Sequence, residues 1–310
     1  MYLFIKKVFK IIFYFSALTT LCFSVLLGMK YDKTVDIIGQ KNIDSAQILI
    51  LGDSRAARQI NPVIINKVTG INVLNIAESS MDLYSLTFRL KKLNVKDKLI
   101  IISASSWQMN DGATANGYFR MEAFNDLNGY RKIQLYSDNL IELKLMLSNS
   151  LFSNHNYSVG DKSRLINSGF KSLECREFDT VNMFENHPWY RNINLNGVKA
   201  ELLKQALREL NTIDCKGIII YNGPVSIDFA SKAKYNGVWR MENEYSNTIA
   251  RFIEKEELKR ITFFDLRNLS GFNNNDYYDP QHFCEKGANK FTNRIIQIFN
   301  LNSSKFHFVK

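Results

Sequence analysis

The sequence predicts an α/β protein in which helices cover both faces of a parallel sheet, and two observations lead to this prediction. First, short apolar runs rich in β-branched residues are typical of buried strands, and they occupy residues 47–52, 71–77, 98–104, 215–223 and 260–266. Second, segments with apolar residues at three- and four-residue spacing, typical of helices, lie between or after these runs, at 83–93, 197–210, 241–258 and 287–299. This alternation favours parallel strands, because each parallel connection needs a long crossover.

The composition supports a packed domain. Hydrophobic residues make up 45% and aromatic residues 13% of 310 residues, which is enough apolar surface for a large core and excludes a disordered chain. Lys and Arg outnumber Asp and Glu by 40 to 30, for a net charge of +10, but they are scattered along the chain. No nucleic-acid partner is therefore predicted. The basic surplus favours anionic surfaces or glycans, or simply keeps the protein soluble.

Residues 1–30 predict a signal anchor, a transmembrane helix that stays attached to the protein. The run 11–29 carries no charged residue, and its length matches the roughly 20 apolar residues that span a bilayer. Three lysines before the run place the N terminus in the cytoplasm and the rest of the chain on the extracytoplasmic side. The alternative is a cleaved signal peptide. The chain then divides into the anchor, a linker, an α/β domain and a tail, at residues 1–30, 31–45, 46–300 and 301–310.

The first strand ends in Gly52-Asp53-Ser54, which places a hydroxyl at a strand-to-helix junction. A serine becomes a nucleophile when a base takes its proton and an acid orients that base. His282 lies between the last strand and the last helix, three residues after Asp279. Because this loop opens at the same carboxyl edge of a parallel sheet, Ser54 and His282 are expected to meet there.

These two motifs together resemble the GDSL/SGNH hydrolase superfamily. The resemblance frames residues 46–300 and is specific at the two ends of that range. It implies a flavodoxin-like three-layer fold with Ser54 as nucleophile, His282 as general base and Asp279 as its partner. It also implies that the backbone N–H of Ser54 is one donor of the oxyanion hole. The sequence has no Cys-x-x-Cys or His-Glu-x-x-His spacing, so neither a metal nor a cofactor is predicted.

The middle motifs of the superfamily are matched less well. Asn75 begins the second motif, but Ser80 stands where a glycine is expected, although its backbone N–H remains an oxyanion donor. In the third motif an ungapped alignment puts Ser106 or Trp107 at the position of the donor asparagine, whereas a short shift recruits Asn110 and Asp111. Losing one oxyanion donor typically costs about 10²–10³ in rate, so hydrolysis depends on which alignment holds.

Some residues near the nucleophile are candidates for substrate binding, namely Asp53, Arg55, Asn75 and Trp107. Arg55 and Arg58 lie about one turn apart and are interpreted as a clamp for an anionic group, or else as a solvated or ion-paired face. Trp107, Trp189 and Tyr190 are interpreted as a sugar-stacking platform, or else as core residues.

Residues 107–196 interrupt the alternation with a stretch rich in Asn, Ser, Tyr and Phe. Segments this long are seldom structureless, so an insertion with some helix is expected over the carboxyl edge, either as a substrate lid or as an inert insertion. Outside the anchor, Cys175, Cys215 and Cys284 allow one disulfide but do not require one.

The anchor and the departures from the family motifs resemble membrane-tethered envelope acyl-transfer proteins. The resemblance implies a serine esterase or O-acyltransferase acting outside the cytoplasmic membrane on acyl groups, typically acetyl, of a cell-envelope polysaccharide. Its partners would be an acylated glycan or acyl donor and a multi-pass membrane acyltransferase. Two alternatives remain: a lipid-directed esterase or thioesterase, and a weakly active or inactive domain that binds glycan or assists assembly with the acyltransferase.

Overall fold

The computed structural model describes residues 10, 14–15, 40–78, 81–109, 169–177, 194–235 and 238–301. The helices are α1 (Gln40–Ser45), α2 (Ser54–Gln59), α3 (Pro62–Thr69), α4 (Leu83–Lys92), α5 (Val198–Thr212), α6 (Ile227–Tyr235), α7 (Val238–Lys255) and α8 (Glu285–Ile298). The strands are β1 (Ile48–Gly52), β2 (Val73–Asn75), β3 (Leu99–Ser103), β4 (Gly217–Asn222), β5 (Ile261–Asp265), β6 (Tyr277–Asp279) and β7 (His282–Phe283). Two 3₁₀ turns lie at Ser106–Met109 and Asn274–Asp276.

Strands β1 to β5 form one parallel sheet in the order β2-β1-β3-β4-β5, which confirms the predicted sheet and each of its predicted strands. From β1 the chain goes to β2 on one side, and then returns to β3 on the other side. The strand order therefore reverses at β1. Ligands of such doubly wound sheets bind outside the carboxyl ends of the strands at this point, where β1 is followed directly by Asp53 and Ser54.

Alternation along the buried strands divides the apolar core into two layers. Ile48 and Ile50 of β1 face one side, where they pack with residues of α2, α3 and α8. Leu49 and Leu51 face the other side, where they pack with residues of α4, α5 and α7. Because side chains of a strand alternate between its faces, each strand contributes to both layers. The domain is thus a three-layer α/β structure, as the sequence predicts.

Gly52 lets β1 end close beside β3. Its φ angle is +118°, a conformation that residues with a side chain rarely adopt, and an added Cβ would stand 2.5 Å from the carbonyl oxygen of Ser103. Glycine therefore allows the backbone of β1 to turn into α2 at a point where the next strand leaves no room for a side chain.

The structure contains four elements that the sequence patterns do not predict. Helix α1 lies at the end of the segment 31–45, which is predicted as a linker. Helix α3 has clear end signals, because the side chain of Asn61 caps it, Pro62 opens it and Gly70 ends it in a left-handed conformation. Helix α6 spans only nine residues. The β6–β7 hairpin stands where a loop is predicted, since its strands of three and two residues are too short to show alternation.

Several predicted segments lie wholly or mostly outside the described residues. These are the anchor at 1–30, apart from three positions, residues 31–39 of the linker, most of the insertion at 107–196, and residues 302–310 of the tail. Among the helices of the described ranges, none has the length and apolar character needed to cross a membrane.

Candidate active site

The fold brings together the three residues predicted as a catalytic triad. Ser54 is the first residue of α2, and its Oγ lies 2.7 Å from Nε2 of His282 in β7. The other ring nitrogen of His282, Nδ1, lies 2.8 Å from Oδ2 of Asp279. A carboxylate only accepts, so we assign the imidazole proton to Nδ1, which leaves Nε2 to accept the hydrogen bond from the Ser54 hydroxyl. This is the tautomer that a general base needs.

The loop between β6 and β7 holds its own acid in place. Asp279 Oδ1 accepts hydrogen bonds from the backbone N–H groups of Gln281 and His282, each at 2.9 Å. Burial acts to raise the pKa of Asp279, but the hydrogen bond and charge of His282, together with these N–H groups, hold that pKa below its usual range. The backbone N–H of Ser226 donates to the Pro280 carbonyl at 2.9 Å and ties the loop to the segment after β4. Asp279 is therefore positioned as an ionised partner for the histidine.

Asp53 anchors the first turn of α2 to the end of β3. Its side chain is 1% exposed and caps the helix that begins with Ser54. The carboxylate accepts hydrogen bonds from the backbone N–H of Arg55 (3.0 Å), the hydroxyls of Ser103 (3.2 Å) and Ser105 (2.6 Å), and Nε1–H of Trp107 (2.9 Å). These donors offset the cost of burying the charge and fix the backbone next to the nucleophile.

Arg55 links α2 to the two loops on the other side of the site. Its guanidinium donates from Nη1 to Asn222 Oδ1 at 3.2 Å and from Nη2 to Gln281 Oε1 at 3.0 Å. The residue is 2% exposed. The predicted anion clamp at Arg55 is therefore corrected, because the guanidinium is buried among protein groups and supports the loop that carries His282.

Three other residues that are predicted to touch substrate are also buried within the protein. Asn75 donates from Nδ2 to the carbonyls of Ala56 (2.8 Å) and Ile60 (3.1 Å), so it attaches α2 to the end of β2. Trp107 is 5% exposed and its indole N–H is bonded to Asp53, so it presents no open face for a sugar. Asp53, Asn75 and Trp107 thus position the nucleophile's helix, and the substrate-contact prediction for them is corrected on grounds of burial.

Glu242 of α7 is a buried acid that contacts polar residues near the site, although the sequence patterns do not identify it. Glu242 is 1% exposed and accepts a hydrogen bond from the hydroxyl of Ser106 at 2.5 Å. It also faces the side-chain amide of Asn222 at 3.4 Å and Nη1 of Arg267 at 4.0 Å. Glu242 lies in a segment that the sequence marks only by helical periodicity, and no local pattern distinguishes it from the solvated acids around it.

The segment 169–177, called the strap below, connects α2 to the start of α8. The backbone N–H of Lys171 donates to the carbonyl of Ala57 in α2 at 3.1 Å. The backbone N–H of Glu285, the first residue of α8, donates to the carbonyl of Leu173 at 2.8 Å. A disulfide joins Cys175 of the strap to Cys284, two residues after His282. The end of the predicted insertion is therefore fastened beside the triad.

Other predicted site residues lie outside the described part of the chain, namely Ser80, Asn110, Trp189 and Tyr190. Ser54 itself opens α2, where no earlier carbonyl of the helix accepts its backbone N–H. That N–H belongs to the same residue as the Oγ that faces His282, and the helix itself provides no acceptor for it. Within the described ranges, no three His, Cys, Asp or Glu side chains gather into a group that could hold a metal ion.

Comparisons with known proteins add no family assignment. No protein-family model matches the chain, and no curated protein matches it. The resemblance to GDSL/SGNH hydrolases stays an interpretation of the Ser54 and His282 motifs, and the geometry of the site is independent of it.

Proposed function

We propose that the protein is an SGNH-type serine esterase or O-acyltransferase that acts on acyl groups of a cell-envelope polysaccharide. The observation that carries the proposal is the hydrogen-bonded chain from Ser54 Oγ through His282 to Asp279, with distances of 2.7 and 2.8 Å. Its position at the carboxyl edge of the sheet, at the point where the strand order reverses, supports the same interpretation. Ser54 and His282 are partly exposed, which supports access of a substrate to this pair.

In the first step His282 Nε2 takes the hydroxyl proton of Ser54 while Oγ forms a bond to the acyl carbonyl carbon. The carbonyl oxygen becomes an oxyanion, which accepts from the Ser54 N–H and, in the proposal, from Ser80 N–H and Asn110. The imidazolium that forms is stabilised by ionised Asp279. The imidazolium of His282 then gives its proton to the departing alkoxide oxygen as the ester bond breaks. An acyl-serine remains at Ser54.

In the second step His282 takes a proton from an incoming hydroxyl, whose oxygen attacks the acyl-serine. Water yields a free acid, whereas a sugar hydroxyl yields a new ester, and in both cases His282 gives the proton back to Ser54 Oγ. Hydrolysis and transfer thus use the same groups and differ only in the acceptor.

The proposed location is the outer side of the cytoplasmic membrane, with residues 11–29 as anchor. The disulfide between Cys175 and Cys284 supports an oxidising compartment, because such bonds are rare in the cytosol. An acylated glycan or acyl donor is the proposed substrate, and a multi-pass membrane acyltransferase the proposed source of acyl groups.

The test is labelling of the full chain with a serine-directed fluorophosphonate, followed by mass spectrometry of the adduct. We expect a label on Ser54 that is lost in Ser54→Ala and His282→Ala and kept in Ser270→Ala, which removes an exposed serine elsewhere. The Ser54→Ala variant should also release acetate from acetylated glycans at least about 10⁴-fold more slowly. A folded protein that takes no label, yet binds the glycan, would instead support the inactive glycan-binding alternative.

A further inference from the structure

The first two residues of α2 are bonded to two consecutive residues of the β6–β7 hairpin. Ser54 Oγ lies 2.7 Å from Nε2 of His282, and Arg55 Nη2 donates to Oε1 of Gln281 at 3.0 Å. Ser54 and Arg55 are neighbours in sequence, as are Gln281 and His282. The arginine bond therefore joins the same two segments as the hydrogen bond of the nucleophile.

The guanidinium of Arg55 is also attached to the end of β4. Its Nη1 donates to Oδ1 of Asn222 at 3.2 Å, and Nδ2 of Asn222 donates to Glu242 Oε2 and Ser246 Oγ, each at 3.4 Å. Arg55 is 2% exposed and Asn222 is fully buried. Because a planar guanidinium that is buried and bonded at two nitrogens has little freedom to turn, Gln281 accepts from a fixed donor.

The bond between His282 and Asp279 does not hold the hairpin against α2, because both residues belong to the hairpin. The carbonyl of Pro280 is also bonded, but to the segment after β4 rather than to α2. The bond from Arg55 reaches the hairpin at Gln281, which directly precedes His282. A displacement of Gln281 would therefore move the imidazole relative to the nucleophile's helix.

On the proposed function, the hydrogen bond between Ser54 and His282 is lost during the reaction. An acylated Ser54 carries an ester oxygen instead of a hydroxyl, so it has no proton to donate to Nε2. His282 must nevertheless keep its place, since it takes a proton from the incoming hydroxyl in the second step. At this stage the bond between Arg55 and Gln281 is retained, because acylation changes neither side chain.

We propose that Arg55 and Gln281 are positioning residues for deacylation, which hold His282 in reach of the acyl-serine while the bond from Ser54 is absent. The inference rests on the proposed function, because it requires an acyl-enzyme. Both residues act through His282, and neither exchanges a proton in this role. Acylation depends less on the pair, because the bond between Ser54 and His282 also holds the base in the free enzyme.

The test measures hydrolysis of p-nitrophenyl acetate by the full chain and by Gln281→Met, which keeps the side-chain length but has only a weak acceptor. We expect deacylation to slow about 10-fold or more and acylation to change less than about 3-fold. Since kcat/KM reports acylation and kcat reports a slow deacylation, kcat and KM should fall together while kcat/KM stays nearly constant. Mass spectrometry of acid-quenched samples should show more acetyl-Ser54 in the variant than in the wild type.

Three further variants separate positioning from a loss of stability. Gln281→Glu keeps an acceptor for the guanidinium and should restore most of the wild-type kcat. The double variant Arg55→Met/Gln281→Met should lose about as much kcat as the more affected single variant, because both changes break one bond. Thr292→Val removes a buried hydroxyl that accepts from the backbone N–H of Asn61 at 2.9 Å, a bond outside the hairpin, and should lower stability without raising acetyl-Ser54.

The outcomes distinguish this inference from the proposed function. Ester turnover at Ser54, with kcat and kcat/KM lowered equally in a folded Gln281→Met, would overturn the positioning role and leave the esterase standing. A folded wild type that carries no acetyl-Ser54 and releases p-nitrophenol no faster than Ser54→Ala would overturn both.

Discussion

Asp53→Asn tests whether the buried carboxylate positions the nucleophile through its hydrogen bonds. The carboxylate accepts from four donors while the residue is 1% exposed. An asparagine has a similar shape but offers only one accepting oxygen, so its NH₂ group must face one pair of donors. The serine hydroxyls can rotate and accept, whereas the backbone N–H of Arg55 and the indole N–H of Trp107 cannot.

One buried donor is therefore left without an acceptor in either orientation of the amide. An orphaned buried donor costs about 1–3 kcal/mol, and the remaining bonds lose the assistance of the charge. We expect Asp53→Asn to lower the free energy of unfolding by about 2–4 kcal/mol. Because Asp53 directly precedes Ser54, we also expect kcat to fall more than KM changes.

The assay is a double-mutant cycle by urea unfolding with Trp107→Phe, which removes the indole donor and keeps an aromatic ring. In that background the amide introduced at position 53 can turn its NH₂ group away from the remaining N–H donor. The cost of Asp53→Asn should therefore shrink by about 1–2 kcal/mol. If the two single costs add to within about 0.5 kcal/mol in the double variant, the hydrogen-bond account of Asp53 is refuted.

Three further predictions concern the Cys175–Cys284 disulfide, Asp279 and Gly52. Replacing Cys175 and Cys284 by serine removes a link between residues 109 positions apart and should lower the free energy of unfolding in urea by about 2–5 kcal/mol. Dithiothreitol should lower the free energy of unfolding of the wild type to that of the serine variant and leave the variant unchanged. Folding lowers the pKa of Asp279, so the ionised side chain stabilises the protein above the ordinary aspartate pKa, and this stabilisation is lost as the pH falls through the folded pKa. The difference in free energy of unfolding between the wild type and Asp279→Asn should therefore shrink as the pH falls over that range. A difference that stays constant would refute this role of Asp279. Gly52→Ala should cost about 2 kcal/mol or more, and clearly more than Gly70→Ala, whose φ is also positive but whose added Cβ meets nothing within 4 Å.

Local patterns are sufficient to predict the five strands of the parallel sheet and the proximity of Ser54 to His282. Apolar runs such as the one ending at Gly52 indicate buried strands because alternation and β-branching are properties of consecutive residues. Ser54 directly follows β1, and Asp279 and His282 lie between the last parallel strand and the last helix, so both segments are expected at the carboxyl edge of the sheet. The meeting of Ser54 and His282 therefore follows from the order of elements alone.

The tertiary structure alone decides what the buried polar residues do. Asp53 accepts from a residue 50 positions away and Arg55 donates to one 226 positions away, and no local pattern indicates that both side chains are enclosed. Of the cysteines outside the anchor, Cys284 pairs with Cys175 because the strap crosses beside β7, whereas Cys215 is buried elsewhere. Hydrogen bonds, disulfides and charge clusters depend on which strand ends and loops become neighbours, and that choice belongs to the packing of the whole domain.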